Sequence, residues 1–308
     1  MLKVVFMGTP DFAVPSLDAL VKAGFEVTVF TQPDKPAGRG NKMSVPEVKR
    51  YALEHNVPVY QFDKVRCDEC LELLKQIAPD IMVTAAFGQI LTKQILDIPR
   101  LGCVNVHASL LPKYRGSAPI QWAIIKGEKI TGITTMLTDI GLDTGDILLK
   151  QELEISQTDT AESMFGKLSV LGAEVLINTI EGLLNNEITP VKQDESVASY
   201  YPMIKKSMAK PDFSQSAQQV DCFIRGMYSW PMAFIELDEG IFKVHKAHMV
   251  EGDHPVGCVC TADSTNGLMI GCGSGAISLD IIQAQGGKAM KAVDYLRGHR
   301  IAVGQQVK

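Results

Sequence analysis

The first half of the chain alternates short apolar runs with segments whose apolar residues recur at helical spacing. Runs such as Ile81–Ala85 are nearly continuous and too short for helices, as strands buried on both faces of a sheet are. The segments between them carry helix signals, and Gly24 closes one of these segments. This alternation predicts a parallel sheet with crossover helices. The predicted strands are Leu2–Met7, Glu26–Thr31, Ile81–Ala85, Gly102–His107 and Gly132–Leu137, and the predicted helices include Pro15–Ala23, Ser44–His55, a helix from Ala118 and Thr160–Leu184.

After residue 185 the pattern changes. Asn185–Ser199 is polar and is broken by Pro190, which is the composition of a linker. Gln215–Met227 then keeps a helical period. Short alternating runs follow, with turns between them: Ala233–Leu237, Ile241–Ala247, Gly257–Thr261, Gly267–Cys272 and Ala276–Gln283. Strands at such spacing favour a small antiparallel barrel. We therefore expect one domain at 1–188, a linker at 189–204 and a second domain at 205–308.

Composition and charge narrow the class of protein. The chain has 308 residues, of which 46% are hydrophobic and 21% charged, as in ordinary globular proteins. Its net charge of −5 argues against binding nucleic acid by bulk attraction, so any such contact is expected to be local. No apolar run approaches the roughly 20 residues that cross a bilayer, so no membrane association is expected. The 7 cysteines are scattered, which predicts free thiols in a cytoplasmic protein and no metal site.

Two glycine-containing turns invite a phosphate-binding interpretation. Gly8-Thr9-Pro10-Asp11-Phe12 follows the first predicted strand but lacks the second and third glycines of a dinucleotide-binding turn. Gly271–Gly275 lies between two alternating runs, where a hairpin turn is expected. Neither stretch is therefore predicted to bind a dinucleotide.

The candidate chemistry lies at the end of the predicted strand Gly102–His107. Alternate residues of a strand share a face, so Asn105 and His107 point the same way while Val104 and Val106 pack on the other side. A neutral donor and a titratable ring aimed at one place suit carbonyl chemistry, because they can stabilise a developing oxyanion. The C-terminal end of a parallel strand is also where open α/β sheets bind their ligands.

A carboxylate completes the candidate site. Asp143 lies in a glycine-bracketed loop after Gly132–Leu137 and could swing beside the ring of His107. Two other interpretations stay open at this point. A lone histidine on a strand is often structural, and Asn105, His107 and Asp143 could ligate a metal, although one histidine makes a poor transition-metal set.

Motifs along nearly the whole chain resemble those of the methionyl-tRNA formyltransferases. Asn105-Val106-His107, Ser109–Gly116 and Gly141–Gly145 carry part of this resemblance. The elements Asn105-Val106-His107, Ser109–Pro112 and Asp139–Gly145 are similar to motifs shared by all formyltransferases that use 10-formyltetrahydrofolate. The segments that narrow the resemblance to the tRNA enzymes are Phe6–Ala13, Gln32-Pro33-Asp34 with Gly38-Arg39-Gly40, and Ser229-Trp230-Pro231-Met232. The resemblance implies an α/β catalytic domain with a Rossmann-like, mostly parallel sheet, followed by a smaller OB-like β-barrel domain that binds tRNA.

The resemblance also implies a reaction. The formyl group would pass from N10 of 10-formyltetrahydrofolate to the α-amino group of methionyl initiator tRNA. Asn105 would donate to the formyl oxygen, and His107, as imidazolium, would protonate the leaving N10. Asp143 would hold that ring charged and help to relay the amine proton through water. No metal and no protein partner are implied.

Binding residues follow from the same resemblance. Backbone groups and aliphatic walls suit a flat pterin, and the residues expected to bind the folate are Phe87, Gly88, Gln89, Ile90, Leu91, Ser109, Leu110, Leu111, Pro112, Asp139 and Gly141. Cationic side chains of the protein would contact the acceptor stem and the phosphates of the tRNA. The cations expected to contact it are Arg39, Lys42, Lys205, Lys206 and Lys210.

Two other functions compete with this one. A formyltransferase acting on a small amine, such as glycinamide ribonucleotide or an amino sugar nucleotide, would share the superfamily motifs. The second domain and the linker argue against the glycinamide enzyme, and a sugar enzyme would not need the loop around Arg39. An RNA-binding module with a degenerate catalytic domain would have lost Asn105, His107 or Asp143, and all three are present.

Overall fold

The computed structural model describes residues 1–37 and 42–308. The chain forms two compact units, each built from separate stretches of sequence. The first unit comprises Met1–Gly116, Ile130–Glu154 and Phe165–Tyr201, and the second comprises Ser117–Lys129, Ile155–Met164 and Pro202–Lys308. The boundaries expected from the sequence, at 188 and 204, stay a prediction.

Strands of the first unit form a mixed sheet. Their bounds are β1 Lys3–Gly8, β2 Glu26–Thr31, β3 Lys35–Ala37, β4 Lys42–Ser44, β5 Val59–Gln61, β6 Ile81–Ala85, β7 Cys103–His107, β8 Ile130–Leu137 and β9 Ile147–Glu154. Seven of these strands form one sheet in the order β5-β2-β1-β6-β7-β8-β9, while β3 and β4 pair with each other. The pairs from β5 to β7 are parallel, and β8 and β9 are antiparallel additions. The mostly parallel α/β sheet expected from the sequence is confirmed.

Helices occur in both units of the chain. Their bounds are α1 Val14–Lys22, α2 Glu47–Glu54, α3 Asp68–Ile77, α4 Lys93–Leu96, α5 Pro119–Ile125, α6 Ala161–Leu184, α7 Ala217–Met227 and α8 Ala292–Tyr295. The inner part of β1 is fully buried, since its residues 4–7 are 0% exposed, and this burial explains its continuous apolar sequence. At the end of β1, a Cβ on Gly8 would lie 2.7 Å from that of Ala13, so glycine lets the chain turn closely there. Since β1, β6 and β7 are parallel, they end at one edge of the sheet.

Each of the last two strands is antiparallel to the strand before it, and β9 is absent from the strands predicted from the sequence. Because β8 runs antiparallel to β7, Leu137 lies opposite Val104 and Thr134 lies opposite His107. The loop between β8 and β9 therefore begins beside the end of β7 that is far from His107. It has to return along β7 before any of its side chains can meet that ring.

The second unit contains a separate antiparallel sheet. Its strands are β10 Phe234–Leu237, β11 Gly240–Val250, β12 Val259–Asp263, β13 Gly267–Gly271, β14 Ala276–Ala284 and β15 Met290–Lys291. They lie in the order β10-β11-β14-β13-β12, with β15 paired to β14. The side chains of Ser216 and Gln219 cap the start of α7, and the buried face of that helix packs in the core of this unit. The turn expected at Gly271–Gly275 is confirmed as the hairpin between β13 and β14.

Two further properties bear on the expectations from composition. All 7 cysteines are free. Within residues 1–37 and 42–308, no helix combines the length and the hydropathy needed to span a bilayer. The cytoplasmic location expected from the sequence stays a prediction.

Candidate active site

Asn105 is held by the neighbouring strand. It lies on β7 opposite Thr84 of β6, and the hydroxyl of Thr84 donates to Asn105 Oδ1 at 3.0 Å. An amide whose oxygen is engaged in this way keeps its two N–H donors on the other side. Among the residues that the structure describes, none accepts a hydrogen bond from Asn105 Nδ2. The amino group of this side chain is therefore available to a ligand.

His107 is buried and faces an oxygen acceptor at each ring nitrogen. Its Nε2 lies 3.1 Å from the backbone carbonyl of Tyr114, and only 6% of the residue is exposed. A carbonyl can only accept, so Nε2 carries a hydrogen. Nδ1 lies 3.7 Å from Oδ1 of Asp143, which is beyond hydrogen-bonding distance. The ring and the carboxylate are therefore neighbours that a small movement would bring into direct contact.

Asp143 is fixed by its backbone as well as by its side chain. The Gly116 N–H donates to Asp143 Oδ2 at 2.7 Å, which aims the other carboxylate oxygen towards His107. Gln193 Nε2 donates to the backbone carbonyls of both Asp143 and Gly145, each at 2.8 Å. Asp143 adopts φ +53°, a left-handed conformation that aspartate and asparagine tolerate better than most residues.

The loop that carries Asp143 is tightly built. Asp139 Oδ1 accepts hydrogen bonds from the backbone of Gly141 at 3.0 Å and from the hydroxyl of Thr144 at 2.7 Å. A Cβ on Gly145 would overlap the carbonyl oxygen of Leu137. Glycine at 145 is thus required by a close approach of backbone to backbone, and this approach closes the loop into the β8–β9 hairpin.

Gly145→Ala is expected to lower the free energy of unfolding by about 2 kcal/mol or more, because the new methyl group has to displace backbone rather than a flexible side chain. Gly166→Ala is the matched control. Gly166 lies within α6, a Cβ there would meet no atom within 4 Å, and alanine should stabilise the helix by about 0.5–1 kcal/mol. Urea unfolding of both variants measures the difference. A Gly145→Ala protein as stable as its parent would show that the loop has room to shift.

The loop from Ser109 is pinned to β8. Ser109 is 0% exposed, and its hydroxyl donates to the carbonyl of Lys113 at 2.7 Å. The hydroxyl of Thr134 donates to the Ser109 carbonyl at 2.7 Å and accepts from the Leu111 N–H at 3.1 Å. These bonds fix the path of the chain between His107 and Gly116.

Residues 199–201 hold the same loop from its other side. The backbone N–H of Arg115 donates to the carbonyl of Ser199 at 2.9 Å, and the N–H of Tyr201 donates to the carbonyl of Arg115 at 3.0 Å. The guanidinium of Arg115 hydrogen-bonds to Glu195. This contact raises the pKa of Arg115 and lowers the pKa of Glu195. The polar segment that the sequence predicts as a linker is thus bonded to the loop beside the site.

The loop after β6 is held through one backbone carbonyl. The Phe87 carbonyl accepts from the hydroxyl of Thr9 at 3.1 Å and from the side-chain amide of Gln32 at 3.2 Å. The side-chain amide of Gln89 accepts a hydrogen bond from the Val65 N–H and donates one to the Phe62 carbonyl. Ile90 is left 75% exposed at the tip of this loop. The Gly8-Thr9-Pro10 and Gln32-Pro33-Asp34 segments therefore support a loop that they do not adjoin in sequence.

Comparison with known proteins decides the family. Residues 2–180 match the model of a family described as Formyl transferase, and residues 203–300 match Formyl transferase, C-terminal domain. A methionyl-tRNA formyltransferase of Clostridium perfringens (strain 13 / Type A) is 47% identical over 310 residues, covering 100% of both chains. One of Ruminiclostridium cellulolyticum is 46% identical over 311 residues, covering 99% of both. The chain belongs to the methionyl-tRNA formyltransferase family.

Solved structures of other formyltransferases share the fold of this chain. The sugar 3N-formyl transferase WlaRD, crystallised in the presence of dTDP and 5-N-formyl-THF, superposes with a TM-score of 0.70. The alignment covers 91% of this chain and 97% of that chain at 22% identity. At that level of identity the likeness establishes a common fold and no more.

The structure places the three predicted catalytic residues of this chain, Asn105, His107 and Asp143, near one another. His107 and Asp143 are adjacent, and Asn105 is two residues before His107 on β7. In the parts of the chain that the structure describes, no three His, Cys, Asp or Glu side chains cluster as potential metal ligands.

The predicted folate residues differ in what they can offer a ligand. The side chains of Phe87, Leu91, Ser109 and Leu111 are buried, so these residues present backbone groups at most. The residues that reach the surface or remain partly exposed are Gly88, Gln89, Ile90, Leu110, Pro112, Asp139 and Gly141.

The residues predicted to contact tRNA belong to different parts of the chain. Arg39 lies outside the described residues, and Lys42 is the first residue of β4. Lys205, Lys206 and Lys210 are exposed on the second unit.

Sequence reasoning missed the residues that hold the catalytic set in place. Thr84 lies on a predicted strand, but only the pairing of β6 with β7 sets it opposite Asn105. Tyr114 and Gly116 lie in the Ser109–Gly116 motif, and they act through the Tyr114 carbonyl and the Gly116 N–H, which no side-chain pattern reveals. Gln193 carried no signal, since it is one polar residue in a polar segment.

Proposed function

We propose that this formyltransferase moves the formyl group of 10-formyltetrahydrofolate to the α-amino group of methionyl initiator tRNA, producing formylmethionyl-tRNA for translation initiation. The observation that carries the proposal is the full-length similarity to methionyl-tRNA formyltransferases at 46–47% identity. The geometry of Asn105, His107 and Asp143 supports it, because a donor, a ring and a carboxylate are what transfer between two nitrogens requires.

The proposed mechanism begins with attack of the neutral α-amine on the formyl carbon. An α-amino group has a pKa of about 8, so an appreciable fraction is neutral near pH 7 and a strong base is unnecessary. Asn105 Nδ2 donates to the formyl oxygen as it becomes an oxyanion. The new C–N bond forms, the bond from carbon to N10 breaks, and His107 as imidazolium protonates N10. Before transfer the Asp143 carboxylate stabilises the charged ring, and as N10 takes the proton of His107 the carboxylate accepts the amine proton through water.

The folate is proposed to lie against the loops after β6, β7 and β8, all within the first unit. The exposed side chain of Ile90 offers an aliphatic contact, and the backbone of Gly88 and Gly141 offers hydrogen-bonding groups at the surface. The 5-N-formyl-THF present with the sugar enzyme WlaRD, which shares this fold, favours a folate cosubstrate here. The remaining predicted residues, Leu110, Pro112 and Asp139, belong to the same loops.

The tRNA is proposed to engage both units. The second domain, which we propose to be OB-like, would contact phosphates through Lys205, Lys206 and Lys210, since all three lysines are exposed. Arg39 and Lys42 would approach the acceptor stem. The proposed contacts involve only a few cations, which agrees with a chain whose net charge of −5 does not attract nucleic acid as a whole.

A comparison of acceptors tests the function. Purified protein is given 10-formyltetrahydrofolate with methionyl initiator tRNA, glycinamide ribonucleotide or an amino sugar nucleotide, and formyl transfer to each is measured. Methionyl-tRNA should be formylated with a kcat/KM orders of magnitude above either small amine, on the scale of about 10⁴–10⁸ M⁻¹s⁻¹ usual for enzymes. Faster transfer to a small amine would establish the alternative formyltransferase, and no transfer to any acceptor would overturn the assignment.

Arg39→Ala is expected to lower kcat/KM for methionyl-tRNA roughly tenfold or more while folate binding changes little, because an arginine that forms two hydrogen bonds to a base contributes about 1–3 kcal/mol. Folate affinity is measured by calorimetry and transfer by initial rates at varied tRNA. Arg66→Ala, which removes an exposed arginine elsewhere in the first unit, is the control. Equal losses of tRNA transfer and folate affinity in the Arg39 variant would assign Arg39 a structural role.

A further inference from the structure

Arg115 is a buried cation next to the proposed catalytic set. Its side chain is 0% exposed, and by residue volume it is the largest fully buried side chain in the described part of the chain. The guanidinium forms a two-bonded pair with Glu195, at 2.9 Å from Nη1 and 2.7 Å from Nη2, and Nη1 also bonds the hydroxyl of Tyr200. A buried charge is retained in a fold only when its donors are satisfied. Glu195 and Tyr200 accept hydrogen bonds from only some of the N–H groups of the guanidinium fork of Arg115, so a further acceptor is needed.

The remaining side of the fork faces Gln193. Nε and Nη2 of Arg115 both donate to Gln193 Oε1, at 3.0 and 2.8 Å. This contact decides which way the amide of Gln193 is turned. With its oxygen held by the cation, Nε2 must point the opposite way, where it donates to the carbonyls of Asp143 and Gly145. The reversed amide would set N–H against guanidinium and oxygen against two carbonyl oxygens, so Arg115 selects a single orientation.

The backbone on either side of Arg115 serves the same two catalytic groups. The carbonyl of Tyr114 accepts from His107 Nε2, and the N–H of Gly116 donates to Asp143 Oδ2. A Cβ on Gly116 would overlap the carbonyl oxygen of Tyr201, so this residue must be glycine where the chain passes. Residues 114–116 therefore hold the ring and the carboxylate through backbone groups. Arg115 anchors that tripeptide and, through Gln193, the backbone of the Asp143 loop as well.

We propose that Arg115 and Gln193 are positioning residues that set the distance between the Asp143 carboxylate and the His107 ring. The proposal rests on the proposed formyl transfer for its kinetic test. Neither residue touches the reacting atoms: Arg115 orients Gln193, Gln193 fixes the backbone of the loop, and the loop presents Asp143. Displacement of a catalytic group by about 1 Å can cost roughly 10²-fold in rate, so loss of this support should appear in kcat.

A double-mutant cycle tests the proposal. Gln193→Leu keeps the bulk of the side chain and removes both of its N–H donors. In the parent enzyme it should lower kcat roughly 10- to 100-fold with little change in KM for the folate. In an Asp143→Asn background the same change should lower kcat less than about twofold, because the group that Gln193 positions has already lost its function. Equal losses in the two backgrounds would show that Gln193 acts elsewhere and would overturn the proposal.

Controls separate positioning from general damage. Lys192→Leu introduces the same residue one position away, at an exposed side chain for which the described residues provide no hydrogen bond, and it should leave kcat unchanged. Arg115→Lys keeps the charge but offers one ammonium where Gln193 and Glu195 need a planar fork. It should reproduce the Gln193→Leu loss, and it serves in the cycle if Gln193→Leu does not fold. A folded Arg115→Lys enzyme with parental kcat would overturn the role of Arg115.

A measurement without substrate makes the inference independent of the proposed reaction. The ring nitrogen signals of His107 are recorded by ¹⁵N NMR on histidine-labelled protein. Gln193→Leu should shift the Nδ1 signal, since the Asp143 carboxylate beside this nitrogen would be displaced, whereas Lys192→Leu should not. Unchanged signals in Gln193→Leu would refute the positioning role whether or not the parent protein formylates methionyl-tRNA. A shifted signal in a protein that fails to formylate would refute only the proposed function.

Discussion

Asn105→Ala is expected to lower kcat for formyl transfer about 10²- to 10³-fold, because loss of one pre-oriented donor to an oxyanion costs that much in other acyl-transfer sites. The hydroxyl of Thr84 holds the amide oxygen at 3.0 Å, so the amino group needs no reorientation when the transition state forms. The KM for 10-formyltetrahydrofolate should change far less, since the bond strengthens only as charge develops on the formyl oxygen. Steady-state rates at saturating methionyl-tRNA measure both quantities.

Thr84→Val separates the donor from its support. Valine has nearly the shape of threonine and lacks the hydroxyl, so Asn105 would remain in place with its amide free to rotate. A loss of kcat intermediate between the parent and Asn105→Ala is expected, with an unchanged thermal midpoint as the sign of an intact fold. If Asn105→Ala folds and keeps its parental kcat, the oxyanion donor must be another group, and the proposed mechanism loses its first element.

The face shared by Asn105 and His107 could be predicted from the sequence, because it depends only on the two-residue repeat of a strand. The parallel core was predictable for a similar reason. Its strands are buried on both faces, and their apolar runs are nearly continuous in the sequence. In both cases a local pattern carries the information.

The path of the Asp143 loop could not be predicted. The sequence places the loop after a strand, but the direction of that strand depends on pairing across the sheet. Because β8 is antiparallel to β7, the loop begins opposite Val104 and has to return along β7 to reach His107. The strand β9 that closes the hairpin is also absent from the predicted strands, since only Leu153 is apolar among its residues from Lys150 onward.

The support of the site was equally hidden, for a different physical reason. Gln193 acts through the orientation of one amide, and that orientation is set by Arg115, 78 positions away in the chain. An arginine in a loop motif is ordinarily exposed. Its burial depends on Glu195 and Tyr200, which lie in a segment whose composition indicates a linker. Hydrogen-bond networks of this kind join polar residues that carry no periodicity, so no local signal marks them.

Asp143→Asn is expected to lower kcat about 10²- to 10⁴-fold, the range that general acid–base groups contribute. Asparagine is nearly isosteric and tolerates the φ of +53° at this position, and its oxygen can still accept from the Gly116 N–H. The loop should therefore keep its path. The other end of the amide would present an NH₂ group to His107 Nδ1 in place of a carboxylate oxygen, so the substitution would remove both the proton acceptor and the negative charge beside the ring.

The measurement that isolates this chemistry compares kcat with folate affinity in Asp143→Asn and in Asp146→Asn. Asp146 lies three residues further along the same hairpin, and the described residues provide no hydrogen bond or ion pair for its side chain. Its variant should keep the parental kcat. Folate affinity, measured by calorimetry, should stay within about threefold of the parent in both proteins, because the lost interaction belongs to the transition state. An unchanged kcat in folded Asp143→Asn would remove this carboxylate from the mechanism, whereas an equal loss of folate affinity would make it a ground-state binding group.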